Sequence, residues 1–263
     1  MIIEFPDYVK LKNEVEKLKT EISMLILEHD ELLYVNCKNI EMNYMLSLGS
    51  LEYKAYELNC AVLRLKRKIE LIQAKKNRQE KVIISVIEDN LDEEFAEYQR
   101  ILEIQIDRMN SAIERGNGKV LSEEDTREIK KLYRAIVKIL HPDLHPDITE
   151  AQIKLFHNAV VAYENCDLNT LRIINTMVSD PVLPDKNEDE LSFQKKEKER
   201  LENLIKIINK RIEEIKSNYP YNVKNILEDE EKLNAKKTEL ENTIVEYKET
   251  ISSFKQRIKE MLK

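Results

Sequence analysis

Leu132-Tyr-Arg-Ala-Ile-Val-Lys-Ile-Leu140 runs straight into His141-Pro-Asp-Leu-His-Pro-Asp147, and a new helical pattern opens at Thr149. On a 3.6-residue period the first stretch has two faces. Ile129, Leu132, Tyr133, Ile136 and Leu140 share one; Arg127, Lys131, Arg134 and Lys138 share the other. Those four basic positions fall within roughly 60° of one another. One face builds a core and the other presents positive charge. Pro142 disfavours the helical conformation of the residue before it, so the helix stops at His141. The expectation is an exposed, stiff turn that carries His141 and Asp143 at the end of a basic helix.

Tyr133-Arg134 precedes His141-Pro142-Asp143, and the next helix carries Phe156, Ala159, Ala162 and Tyr163. This combination resembles the J domain of the DnaJ co-chaperone family. The family's signature is a Tyr-Arg pair, a short run and His-Pro-Asp, followed by Phe, a small residue and Ala-Tyr on the next helix. His-Pro-Asp alone is a weak signal; with its companions on two helices it is a specific one. The resemblance covers roughly residues 120 to 178, under a quarter of the chain. The family's opening helix, with its Asp-Tyr-Tyr-like start and Leu-Gly, has no counterpart before Ser122. The helix before the turn, counted from the Ser122-Glu-Glu-Asp125 capping box, is about one turn longer than usual. The fourth-helix Gln-Lys-Arg…Tyr-Asp pattern is replaced by residues 167–178, a helix capped by Asp167. These departures spare the two central helices and the turn, and bear on whichever partner meets the outer helices.

The resemblance implies a partner, a DnaK-type heat-shock chaperone, and a docking surface. Arg134 and Lys138, with Arg127, Lys130, Lys131 and Tyr133 beside them, would dock on its acidic surface. His141, Pro142 and Asp143 would reach the joint between its ATPase and client-binding parts and favour hydrolysis. That chemistry belongs to the partner, so the chain would be no enzyme and need no cofactor; it supplies differential binding of the hydrolysis-competent state.

The chain has 263 residues, 35% of them charged and only three of them glycine. Gly49, Gly116 and Gly118 cannot make a phosphate-cradling loop, which argues against Rossmann or Walker nucleotide binding. A net charge of −7 with no single-sign excess gives no general push toward nucleic acid or membrane. Cys37, Cys60 and Cys166 are odd in number. With no signal peptide and no apolar run of transmembrane length, the expectation is a reducing cytoplasm. The zinc repeats and Gly/Phe-rich linker of full DnaJ proteins are absent, which points to a specialised member that keeps only the J domain.

The expected fold is all-α, a J-like helical hairpin between long coiled-coil arms: residues 1–115, 119–178, a linker at 179–190, and 191–263. A helix signal at Pro6-Asp7 opens a seam of Leu11, Val15, Leu18, Ile22, Leu25 and Leu32, with His29 between the last two. A second seam runs from Leu51 to Ile72. Gly49 between them reads as a hairpin turn or as a glycine inside one long helix, since a lone glycine costs a helix only about 1 kcal/mol. We favour the turn. Residues 64–81 carry eight positive charges, and Glu88, Asp89, Asp92, Glu93, Glu94 and Glu97 follow. Self-neutralisation, with Lys75, Lys76 and Arg78 meeting Asp92, Glu93 and Glu94, is favoured over a nucleic-acid patch. Val82–Ile87 reads as a buried connector or helix start, and the helix after it ends at Gly116-Asn-Gly118.

Beyond the proline-bearing acidic linker, Leu201, Ile205, Ile208, Ile212 and Ile215 form one seam, and Leu233 to Met261 another. Ser217–Asn222 separates them and reads as the turn of an antiparallel hairpin. The longer second arm leaves apolar residues that must meet the N-terminal helices or another chain. We expect a monomer, with a dimer as the alternative. The helical arms would bind a client or target an assembly. A coiled-coil scaffold with a degenerate J-like domain is the competing reading. A metal site at His141, Asp143, His145, Asp147 and His157 is disfavoured, because Pro142 and Pro146 deny those histidines a helical i,i+4 spacing.

Overall fold

Apolar residues recurring every three or four positions along so much of a chain are buried most simply by helix on helix. The computed structural model describes residues 6–118, 121–178 and 190–263, and among these the fold is all-α. The N-terminal helices are α1 (Pro6–Asp30), α2 (Cys37–Tyr44), α3 (Ser50–Asn77), α4 (Ile84–Glu94) and α5 (Ala96–Gly116). The hairpin region comprises α6 (Glu123–Leu140), α7 (Glu150–Glu164) and α8 (Leu168–Val178). The C-terminal region comprises α9 (Glu190–Ser217), the short α10 (Lys224–Leu227) and α11 (Glu230–Met261). No helix is long and apolar enough to cross a membrane among the described residues. The proline-bearing linker lies outside the described residues.

The chain divides into two units, each drawn from separated stretches. The sequence suggests an arm, a domain and an arm in succession, but the contacts interleave them. The first unit joins residues 6–38 to 121–222; the second joins 39–118 to 223–263.

In the first unit α9 lies along α1. Lys198 Nζ meets Glu14 at 2.9 Å and Lys216 Nζ meets Glu28 at 3.2 Å, so the two helices run in the same direction. Val15, Ile22 and Ile26 share a buried cluster with Leu201, Ile208 and Ile212, and α6, α7 and α8 complete it. In the second unit Leu233 and Leu240 of α11 pack with Met45 and Leu48 at one end. At the other, Phe254, Ile258 and Met261 pack with Ile69 and Ile72. These helices, too, run parallel. The antiparallel hairpin expected of 191–263 is therefore corrected: each C-terminal seam is filled within its own unit by an N-terminal helix. Heptad spacing declares that a stripe needs a partner but does not name it.

Gly49 corrects a second expectation. It is helical, at φ −57° and ψ −37°, inside a π-helical turn (Met45–Gly49) that joins α2 to α3. A Cβ there would stand 2.7 Å from Met109 Cε and 3.0 Å from Met45 Cε, so the missing side chain makes room for α5. The basic run does neutralise itself, but with earlier residues than expected. The helix start is Ile84, which sets the acidic end of α4 back along α3. Arg64 pairs with Glu88 at 2.6 Å and Asp92 at 2.7 Å, Arg67 with Glu94 at 2.9 Å, and Lys68 with Glu88.

Candidate functional site

The helix that carries the basic face begins where a side chain can satisfy its first amides. Ser122 Oγ accepts from the Asp125 amide at 3.0 Å, and Glu123, Glu124 and Asp125 complement the dipole of the first turn. Ile129, Tyr133, Ile136, Val137 and Leu140 turn inward. At His141 the backbone becomes extended, with φ −67° and ψ 125°, as Pro142 requires. The Leu144 and His145 amides both return to the His141 carbonyl at 3.0 Å, and Leu144 plugs the turn into the core. Thr149 and Gln152 form a reciprocal capping box that starts α7.

The two helices lie antiparallel. Tyr133 and Tyr163 stack with centroids 4.1 Å apart, and the His141 ring meets Phe156 edge-on at 5.0 Å. Phe156, Ala159, Ala162 and Tyr163, the residues of the sequence pattern, are all buried. Asp167 caps α8, accepting from the Thr170 amide at 3.1 Å, and Arg172 clamps α8 to Glu128 of α6 at 2.8 and 2.7 Å.

The turn is not the free tip that the sequence suggests. His141, Pro142 and Asp143 are half-buried, covered by α1, the π-helical turn after it (Glu31–Asn36), and α9. Arg200 of α9 donates to the Asp143 carbonyl at 2.7 Å, while its other guanidinium edge grips Glu197 at 2.8 Å. Arg211, also on α9, stands 3.9 Å from the Asp143 carboxylate. Between turn and cover lies a cavity of about 170 Å³ lined by His29, Asp30, His141, Asp143, Phe156 and Arg211, among others.

Electrostatics follow from this enclosure. His141 Nδ1 accepts the Asp143 amide at 3.1 Å, so the neutral ring keeps its proton on Nε2. Burial pushes the imidazole pKa below its ordinary value; Asp143 and Asp30 favour the cation, and His29 and Arg211 oppose it. Tyr133 and Tyr163 are pushed up, first by burial, and remain phenols.

The basic positions divide. Arg127, Lys131 and Lys138 are exposed, and Arg127 pairs with Glu123 of its own helix at 3.2 Å. Lys130 is half-buried and bonds Glu31 at 2.6 Å. Arg134 is half-buried in a groove with Glu21, Glu28 and Glu31, its Nε enclosed without a hydrogen-bond partner among the described residues. Tyr133 is wholly buried and donates to Asp30 Oδ2 at 2.6 Å. It is a core residue and cannot meet a partner, which corrects its place in the expected docking surface.

Sequence reasoning missed Asp30, Glu31, Arg200 and Arg211. The last two sit 11 residues apart, three helical turns, on one side of α9, a spacing visible in the sequence. What they face was not. Among the described residues, no three His, Cys, Asp or Glu side chains stand where they could share a metal ion. Comparisons of the chain with family models, curated proteins and solved structures each found no match.

Proposed function

We propose that this chain is a specialised J-domain co-chaperone that recruits a DnaK-type heat-shock chaperone in the cytoplasm and stimulates its ATPase. The observation that carries the reading is the hairpin of α6 and α7. It holds His141-Pro142-Asp143 on a proline-stiffened turn, with Tyr133-Arg134 before it and Phe156…Ala162-Tyr163 after it. Lys138 and Lys131, both exposed on α6, offer charge to an acidic partner surface. Lys130 and Arg134 join them only where α1 gives way. The chain contributes no hydrolytic chemistry of its own in this reading; it favours one state of its partner. The long helices choose where the chaperone acts, by holding a client or an assembly.

One observation favours the second reading, a helical scaffold with a degenerate hairpin: Arg200 and Arg211 already occupy the turn. His141→Gln separates the two. The co-chaperone reading expects the substitution to abolish stimulation of a DnaK-type ATPase at a temperature well below the melting point. The margin matters because His141 packs on Phe156, and its loss lowers stability slightly. Undiminished stimulation would sink the motif-based mechanism.

A further inference from the structure

The turn that would touch the partner is already engaged by the chain itself. Arg200 holds the Asp143 carbonyl from outside, and Arg211 stands over its carboxylate. On the neighbouring flank α1 and the turn after it present Glu21, Glu28 and Glu31 to Arg134, and Glu31 bonds Lys130. An acidic surface thus lies against basic residues of α6, and two arginines lie against the acidic residue of the turn. Lys130, Arg134 and Asp143 meet complementary charge from the same unit, while Lys131 and Lys138 stay exposed.

We infer that Arg200 and Arg211 of α9 form an autoinhibitory cover over the His141–Asp143 turn, beside the carboxylates that α1 sets against the basic face, so that docking requires the arginines to let go. This rests on the co-chaperone reading above. The cover is suited to being displaced. The Arg211–Asp143 pair is long at 3.9 Å, with Arg211 54% and Asp143 36% exposed, and exposed ion pairs hold little energy. From α9 the tether at the turn is a single charge-assisted hydrogen bond from Arg200, while α1 stays anchored to α6 through Asp30 and Tyr133. Ile22, Ile26, Leu201 and Ile208 share one buried cluster with α6, α7 and α8, so the helices stay packed when the Arg200 tether lets go. A binding surface that is free only part of the time has its apparent affinity reduced by that fraction.

The test compares the full chain with R200Q/R211Q, each alone and combined with H141Q, titrated into a DnaK-type chaperone while ATP hydrolysis is followed. Removing the tether should lower the half-saturating concentration roughly 5-fold or more, the small end of ordinary coupling between sites. Hydrogen exchange at the Asp143, Leu144 and His145 amides should quicken in R200Q/R211Q while that of α6 stays unchanged. Adding H141Q should silence both chains. If wild type and R200Q/R211Q stimulate with the same concentration dependence and H141Q silences each, the cover is overturned and the co-chaperone reading stands. If neither stimulates, both fail. Should the double variant melt early, R211Q alone, at a more exposed position, makes the same comparison.

Discussion

Tyr133 donates a 2.6 Å hydrogen bond to Asp30 across 103 positions of chain, and both side chains are closed to solvent. Asp30 Oδ1 lies 2.9 Å from His29 Nδ1, so the phenol and the imidazole between them attend the carboxylate's two oxygens. A buried acid with few donors depends heavily on each. Tyr133→Phe changes no shape and removes one. It should cost about 1.5–3 kcal/mol, the range for a hydrogen bond to a charged group. Urea denaturation followed by circular dichroism would show an earlier midpoint for the first unit. An unchanged midpoint would mean the carboxylate is satisfied elsewhere.

The pH dependence follows from His141. Burial holds its folded pKa below the unfolded value of 6.5, so the unfolded chain binds the proton more readily. Stability from this group is present above about pH 6.5 and is lost as pH falls from there toward the depressed folded value. Glu197 is held below the ordinary carboxylate range by its bond to Arg200. Thermal melts at pH 7.5 and 5.5 should therefore differ, with the acidic sample less stable, and His141→Gln should shrink that difference. Equal slopes in the two proteins would assign the effect to other groups.

The basic face should respond to salt unevenly. Lys138 is exposed, so Lys138→Glu should weaken chaperone stimulation without altering the melt. Arg134→Ala should do both, since Arg134 also lines the acidic groove of α1. Exposed charges are screened within about 10 Å at 0.1 M salt, so the wild-type interaction should weaken as salt is added. Binding indifferent to ionic strength would make this face ordinary solvated surface.

The oligomeric state follows from filled seams. Phe254, Ile258 and Met261, beyond Tyr247, pack on the cluster of Ile69 and Ile72, so these seam positions are filled without a second chain. Light scattering at micromolar concentration should give a mass near the 31.1 kDa of one chain. Deleting residues 247–263 should uncover Ile72 and Leu91, both wholly buried, and destabilise the second unit. A stable mass of twice the monomer, halved by that deletion, would overturn the argument.

Local signals were legible and distant ones were not. Ser122, Thr149 and Asp167 mark helix starts because capping is a matter of three or four residues. Pro142 stops α6 by its own covalent geometry. The core face of α6 follows from periodicity, with Val137 added and Leu132 left half-buried. The exposure of the turn was misjudged because exposure depends on what packs over it, and Arg200 comes from 57 positions away. Gly49 was misread for a related reason. Glycine permits a turn and equally permits close approach, and only Met109 shows which is meant.

The interleaving of the two units also bears on how the chain is made. A ribosome releases α1 and α3 long before their partners exist. Ile22 emerges 186 residues ahead of Ile208, and Ile72 the same number ahead of Ile258. At ordinary rates of synthesis that interval is roughly 10–40 s. For that time the apolar stripes of α1 and α3 are nascent, unpaired and attractive to other nascent chains. Neither unit can close until translation has reached its C-terminal helix. Each unit thus closes late, the first once α9 has emerged and the second only with α11, and during its own synthesis the chain presents the kind of surface that chaperones bind.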